Sequence, residues 1–365
     1  MASPSAPLLQ ERSQTADLLK GIAVVLMIQV HLMEQFATLE LSSSSAGRLS
    51  LFLGGPPAAP VFLSVMGFFL SKSRKTLWQL FQRGILLILG GLLLNVGLNA
   101  NLLYSIHQGR YQADPLSFVF GADILCVAGL SVIILAFLRR RISGNPMTCV
   151  FIAFLVPLIS PVLRLLTPTV HPLLLHISAF LWGDIWWSYF PLFPWLAYSL
   201  LGYTWGTSPQ YLEIFHSMKK WKQVSIVVAV LLILSLFIPY AAKTVTHLSQ
   251  YYHHDAPLFL WMSGFLVIWT FLVNYLNGIT GDFSILRYLK WLGQNVTSAY
   301  VFQWLIIGNV ATEIYHTQVA WQLIAWFVSI MFFVSLLVVS YRRIRKRFLA
   351  SSFPSLLLPW LWGAR

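Results

Sequence analysis

"DLLKGIAVVLMIQVHLMEQF", residues 17–36, is long and apolar enough to enter a membrane, yet it carries Asp17, Lys20, His31 and Glu34. On a helix with ~100° between residues, position 20 falls within about 20° of position 31. Position 34 falls about 60° to one side of it and position 17 about 40° to the other. The four ionisable groups therefore share one stripe, with Val24, Met27 and Ile28 between them. Charge facing lipid is expensive, so the stripe is expected to face a bundle interior or a wet cavity.

The rest of the chain has the same character. Of its 365 residues 58% are hydrophobic, 15% aromatic and only 10% charged. The mean hydropathy is +0.73. A soluble chain carries about a quarter charged residues, so this is read as a polytopic all-α membrane bundle. Ten apolar stretches are candidate spans, near 16–38, 52–71, 77–98, 117–138, 147–166, 189–206, 223–241, 257–277, 294–313 and 318–341. They leave no room for a separate water-soluble domain. Residues 1–349 are read as one integral-membrane domain and 350–365 as a cytoplasmic, interfacial tail.

The net charge of +13 comes in short clusters between apolar runs: "SKSRK" (71–75), "RRR" (139–141), "KKWK" (219–222), Arg287 with Lys290, and "RRIRKR" (342–347). With the N-terminus inside, every cluster falls on the cytoplasmic face, which puts both termini there. The charge is thus assigned to topology and lipid headgroups rather than to nucleic acid. Cys126 and Cys149 have neither disulfide nor metal-site spacing, so no metal is expected. The opposite, outer stretches are aromatic: "YSIHQGRYQAD" (104–114), "HPLLLHISAFLWGDIWWSYF" (171–190) and "KTVTHLSQYYHHDAP" (243–257). These suit either an interfacial belt or a sugar-stacking surface.

Each polar group within a span has a structural and a functional reading. Asp17 suits a helix start, and Lys20 can pair with it or reach the inner interface. Arg83 in "LFQRGILLILGG" is an interface anchor or an anion ligand. Asp123 lies near the outer side of the fourth span, where an acid is normally paired. Gln303 and Asn309 can bond between helices. His31 sits ~16 Å beyond Lys20, at a depth that none of His107, His171, His176, His216, His247, His253, His254 and His316 reaches by sequence. Its chemistry suits general acid–base work, with Glu34 one turn on to orient it.

"RSQTADLLKGIAVVLMIQVHLMEQF" (12–36) resembles the opening of the heparan-alpha-glucosaminide N-acetyltransferase-like family, an Asp-x-x-Arg-Gly-x-Ala pattern leading to His or Asn in the first membrane helix. "GPPAAPVFLSVMGFFLSKS" (55–73), "FQRGILLILGGLLLN" (81–95), "GADILCVAGLSVII" (121–134), "YFPLFPWLAYSLLGYTWG" (189–206) and "LGQNVTSAYVFQWLII" (292–307) resemble later blocks in the same order. The superfamily includes the acyltransferase-3 proteins. Lys20 stands where relatives usually have Arg, and Gln303 where many have His.

The resemblance implies transmembrane acyl transfer from cytoplasmic acyl-CoA, acetyl-CoA above all, to a glycan, glycolipid or amine on the far side. His31, Glu34 and Asp123 would then be catalytic, and Asp17, Lys20, Arg83, Gln303 and Asn309 would bind donor or acceptor. The expected setting is a bacterial cytoplasmic (inner) membrane among its lipids, and a homo-oligomer is compatible with the composition. The alternative is a proton-coupled transporter or carrier of a lipid- or sugar-linked substrate, which would also keep His, Glu and Asp within the membrane.

Overall fold

Ser13 starts the first helix: its side chain accepts the Ala16 N–H at 3.2 Å, and Asp17 places a carboxylate in the first turn, where the helix dipole favours it. The computed structural model describes residues 13–142, 145–168, 171–208, 210, 217–279 and 283–350. His216 and the expected tail past 350 lie outside the described residues. Among these residues the backbone is helical, with one isolated β-bridge between Ala37 and Gln318.

The helices are α1 (Gln14–Gln35), α2 (Leu39–Ser43), α3 (Ser45–Gly54), α4 (Ala59–Ser71), α5 (Leu77–Leu98) and α6 (Ala100–His107). Then come α7 (Pro115–Val119), α8 (Ile124–Ile142), α9 (Pro146–Arg164), α10 (Pro172–Leu181), α11 (Leu192–Thr207) and α12 (Lys220–Leu236). The last are α13 (Ile238–Thr246), α14 (Leu248–Tyr252), α15 (Ala256–Ile279), α16 (Ser284–Gln294), α17 (Val296–Ile314) and α18 (Ala320–Ala350).

All ten apolar stretches fall on helices, but only six segments are by themselves long and apolar enough to cross a membrane: α1, α3 with α4, α5, α9, α15 and α18. The pair α12–α13 makes a seventh if counted as one span, bent by 54°. The other three stretches fall short for visible reasons. Helix α8 ends on Arg139, Arg140 and Arg141, α11 has 16 residues, and α17 carries Thr297, Ser298, Gln303 and Asn309. The segments between the membrane-length helices are built in part of short helices, α2, α6, α7, α10 and α14. Caps explain two of them: Thr38 caps α2, and Asp114 caps α7 ahead of Pro115.

Helix α1 packs on α3, α4, α15, α16, α17 and α18 and is enclosed by them. Its N-terminal end is held by backbone contact: a Cβ on Gly21 would overlap the Leu289 carbonyl, and one on Gly293 would overlap the Asp17 carbonyl. Helix α16, which carries the Arg287 and Lys290 cluster, is laid along α1, and Lys290 donates to Gln14 Oε1 at 3.0 Å. The C-terminal end of α1 is strapped by Gln318 N–H to Phe36 O (2.8 Å), Thr38 N–H to Gln318 O (3.0 Å) and His316 N–H to Gln35 O (3.1 Å).

Gly21→Ala is expected to lower the thermal midpoint of the purified protein by several degrees, because the clash is with backbone. Gly90 has open space around its Cβ position. Gly90→Ala should leave the midpoint unchanged or raise it, since Ala is favoured over Gly in a helix by about 1 kcal/mol. Equal effects in a thermal melt would refute the α1–α16 contact.

Candidate active site

A cavity of about 520 Å³ opens where the C-terminal ends of α1, α5 and α17 meet the start of α8. Helix α1 contributes His31 and Glu34 from its last turns. Spaced three apart on one face, they meet: His31 Nδ1 lies 3.2 Å from Glu34 Oε2. With Nδ1–H donating to the carboxylate, Nε2 is left as the basic nitrogen. The Trp304 ring, from α17, packs on the imidazole with centroids 4.1 Å apart and planes at 40°.

Asp123 lines the same cavity from a different kind of position. The sequence placed it within a span, whereas it caps α8: Cys126 N–H donates to Asp123 Oδ1 at 2.9 Å. Its backbone is fixed from both sides. Ala122 N–H donates to Trp187 O (2.9 Å), and Phe190 N–H donates to Ala122 O (2.7 Å). The Asn95 amide donates to Gly121 O at 2.8 Å and Val119 O at 3.2 Å. Asp123 Oδ2 is buried and has no partner among the described residues. One oxygen thus serves the helix and the other is left without a partner among the described residues.

The other expected site residues lie elsewhere. Lys20 Nζ is 2.9 Å from Asp17 Oδ1, and its charge also lies over the Phe69 ring at 5.5 Å. Between Lys20 and His31 the shared face is filled: Val24, Met27 and Ile28 are buried in packing, although Met27 reaches the cavity's edge. Arg83 is on an exposed face of α5 and lines no described cavity. Asn309 bonds helices together, donating to Gly97 O and Leu305 O and accepting the Asn101 N–H, each at 2.8 Å. Gln303 is fully buried, and neither amide atom has a partner among the described residues.

Sequence reasoning missed the cavity's aromatic wall as site residues. Trp186, Tyr189, Phe190, Tyr252, Tyr300 and Trp304 all line it. The signal was the clustering in "WGDIWWSYF" and "YYHHDAP", which composition alone could not separate from a membrane belt.

Residues 12–240 match the family described as heparan-alpha-glucosaminide N-acetyltransferase, catalytic. The chain belongs to this family. No curated protein and no solved structure matches it. The family match takes in His31, Glu34 and Asp123. It ends before Tyr300, Gln303, Trp304 and Asn309, and so before the resembling block at 292–307. As a member of this acetyltransferase family with several membrane-length helices, the chain is an integral membrane protein of the transferase class.

Two further histidines are buried without lying deep in a span. His253 Nε2 is 3.0 Å from Gly183 O and its Nδ1 3.1 Å from Ser249 O, which joins the 182–190 wall to α14. His254 Nδ1–H donates to Tyr251 O and Tyr198 O–H donates to His254 Nε2, both at 2.8 Å. Burial pushes the His254 imidazole down to about 3 from the ordinary 6.5, with His253 and Arg164 as smaller contributors. The unfolded chain then binds a proton that the folded one refuses. Stability from this group is complete above pH 6.5 and is lost as pH falls from 6.5 toward 3, by up to about 1.4 kcal/mol per pH unit. Thermal melts at pH 7.5 and pH 5 should therefore differ more for the native chain than for His254→Gln; parallel shifts would refute a neutral buried His254.

Proposed function

We propose that the chain moves an acetyl group from cytoplasmic acetyl-CoA to a sugar hydroxyl or an amine at the outer face, with the reaction centred on His31. The observation that carries this is the joining of His31, Glu34 and Asp123 in one aromatic-lined cavity in a member of an acetyltransferase family. The acceptor's O–H or N–H gives its proton to His31 Nε2, while Glu34 holds Nδ1–H and balances the imidazolium. The acceptor's oxygen or nitrogen bonds to the acetyl carbon, the C–S bond breaks, and the imidazolium proton passes to the departing thiolate. A route through an acetyl-His31 intermediate uses the same atoms in two steps. Asp123 Oδ2 accepts a hydrogen bond from the acceptor and orients it. Tyr189, Tyr252 and Trp186 give flat faces on which a sugar ring can stack.

The topology proposed with this reading is ten crossings with both termini cytoplasmic, over one domain of residues 1–349. Its support is the meeting of basic segments at one end of the bundle: Arg139 donates to Lys75 O at 3.1 Å, and Lys290 lies beside the start of α1. The setting proposed is a bacterial inner membrane. Lys20 and Arg83 are proposed as donor ligands at the inner end, Lys20 from its pair with Asp17 and Arg83 from the exposed face of α5.

Purified protein incubated with labelled acetyl-CoA and amino-sugar or glycan acceptors should transfer label. His31→Ala should fold and lose transfer by about 10²–10⁴-fold as a general base, and by more as an acyl carrier. Label retained on denatured native protein but not on His31→Ala would identify the acyl-enzyme route. Normal transfer by His31→Ala would end this mechanism. Reporter fusions after residues 75, 141, 222 and 290 should all report cytoplasm; two on the outer side would refute the topology.

A further inference from the structure

A second cavity, of about 470 Å³, lies at the inner ends of α5 and α8 and shares no residue with the first. One side carries Lys75, Arg139 and Arg140, and the other Leu77, Leu80 and Phe137. The cationic side is built, since Arg139 Nη1 donates to Lys75 O at 3.1 Å and fixes the α4–α5 linker against the end of α8. Thr76 and Gln79 close a reciprocal cap there, so the positive end of the α5 dipole adds to the same field. None of the three cations has a carboxylate partner among the described residues.

The apolar side opens outward. Leu77 and Phe137 are exposed, and they continue into a ridge: Phe81 meets Phe137 edge-on at 6.5 Å, and Trp78 stacks on Phe81 at 5.4 Å. Cations at the inner membrane level beside an exposed aromatic ridge match a phosphate ester with hydrocarbon attached. Guanidinium groups bind phosphate oxygens through paired N–H donors, and basic pockets between helices on this face suit anionic headgroups.

Two phosphate esters are at hand, a lipid headgroup and acetyl-CoA. The helix contact above the groove separates them. A Cβ on Gly84 would overlap Ile133 and the Gly129 carbonyl oxygen, and one on Gly129 would overlap the Gly84 carbonyl oxygen. The α5 and α8 backbones touch there, one turn above Leu80. No acyl-bearing arm can pass between them from the groove to His31. We propose that the groove holds the phosphate of an anionic phospholipid of the inner leaflet, with its chains along Phe137, Phe81 and Trp78. This does not depend on the acetyl-transfer reading.

The test is native mass spectrometry of the full chain in detergent with phosphatidylglycerol, phosphatidylcholine or CoA. Phosphatidylglycerol should be retained in preference to phosphatidylcholine, and millimolar CoA should not displace it. Each charge removed should weaken retention about fivefold, and Lys75→Gln/Arg139→Gln/Arg140→Gln on the order of 10²-fold. If the triple variant does not fold, Arg140→Gln alone should show the single-charge loss, since Arg140 is exposed and makes no described bond. Arg342→Gln/Arg343→Gln, at the end of α18, should leave retention unchanged. Equal retention of the two lipids, an unchanged charge variant, or an equal loss at α18 would overturn the site. Displacement by CoA would assign the groove to the donor and overturn the lipid.

Discussion

Everything in this bundle follows from the cost of holding His31 and Glu34 within a membrane helix. A charged or unpaired polar group at that depth is tolerated only where it meets protein or water. Helix α1 is accordingly surrounded, by α3, α4, α15, α16, α17 and α18. Glu34 answers His31, Trp304 covers the ring, and both ends of α1 are held by backbone contacts at Gly21, Gly293, Phe36 and Thr38. The cavity exists because α1 cannot shed these groups toward lipid.

Enclosure also explains which features the sequence displayed. Apolar runs located helices, six of them long and apolar enough to cross a membrane, and helical periodicity joined His31 to Glu34. Periodicity joined Lys20 to them as well, but there one face of α1 serves two environments: packed around Val24 and Ile28, open only from Met27 outward. Angular register says which side chains share a face, not what fills the space beside it. Asp123 was legible as an acid among apolar residues. Its place as a helix cap was not, because that depends on pairing Ala122 with Trp187 and Phe190, some 65 residues on. His253 and His254 were passed over for the same reason: short outer helices bury them, and nothing in their own stretch announces it.

The two cavities stand at opposite ends of the α5–α8 pair, about 22 Å apart if measured from Leu80 to Asn95 along the helix. The glycine contact between them makes this pair a seal rather than a passage. The face of α1 that leads from Lys20 to His31 is closed as well, because Val24 and Ile28 pack there. The proposed acetyl transfer therefore requires a neighbour of α1 to yield.

One neighbour, α17, carries an unmet polar side chain in Gln303. A fully buried amide with neither atom bonded costs on the order of 1–3 kcal/mol per unmet group. That cost belongs to the arrangement in which α17 is packed as it stands. A shift of α1 breaks its glycine contacts with α16 and its strap to residues 316–318. A shift of α17 gives Gln303 a chance of partners and carries Tyr300 and Trp304 with it, moving the ring that covers His31. That movement would uncover the histidine, and it would break the Asn309 bonds to α5 and α6.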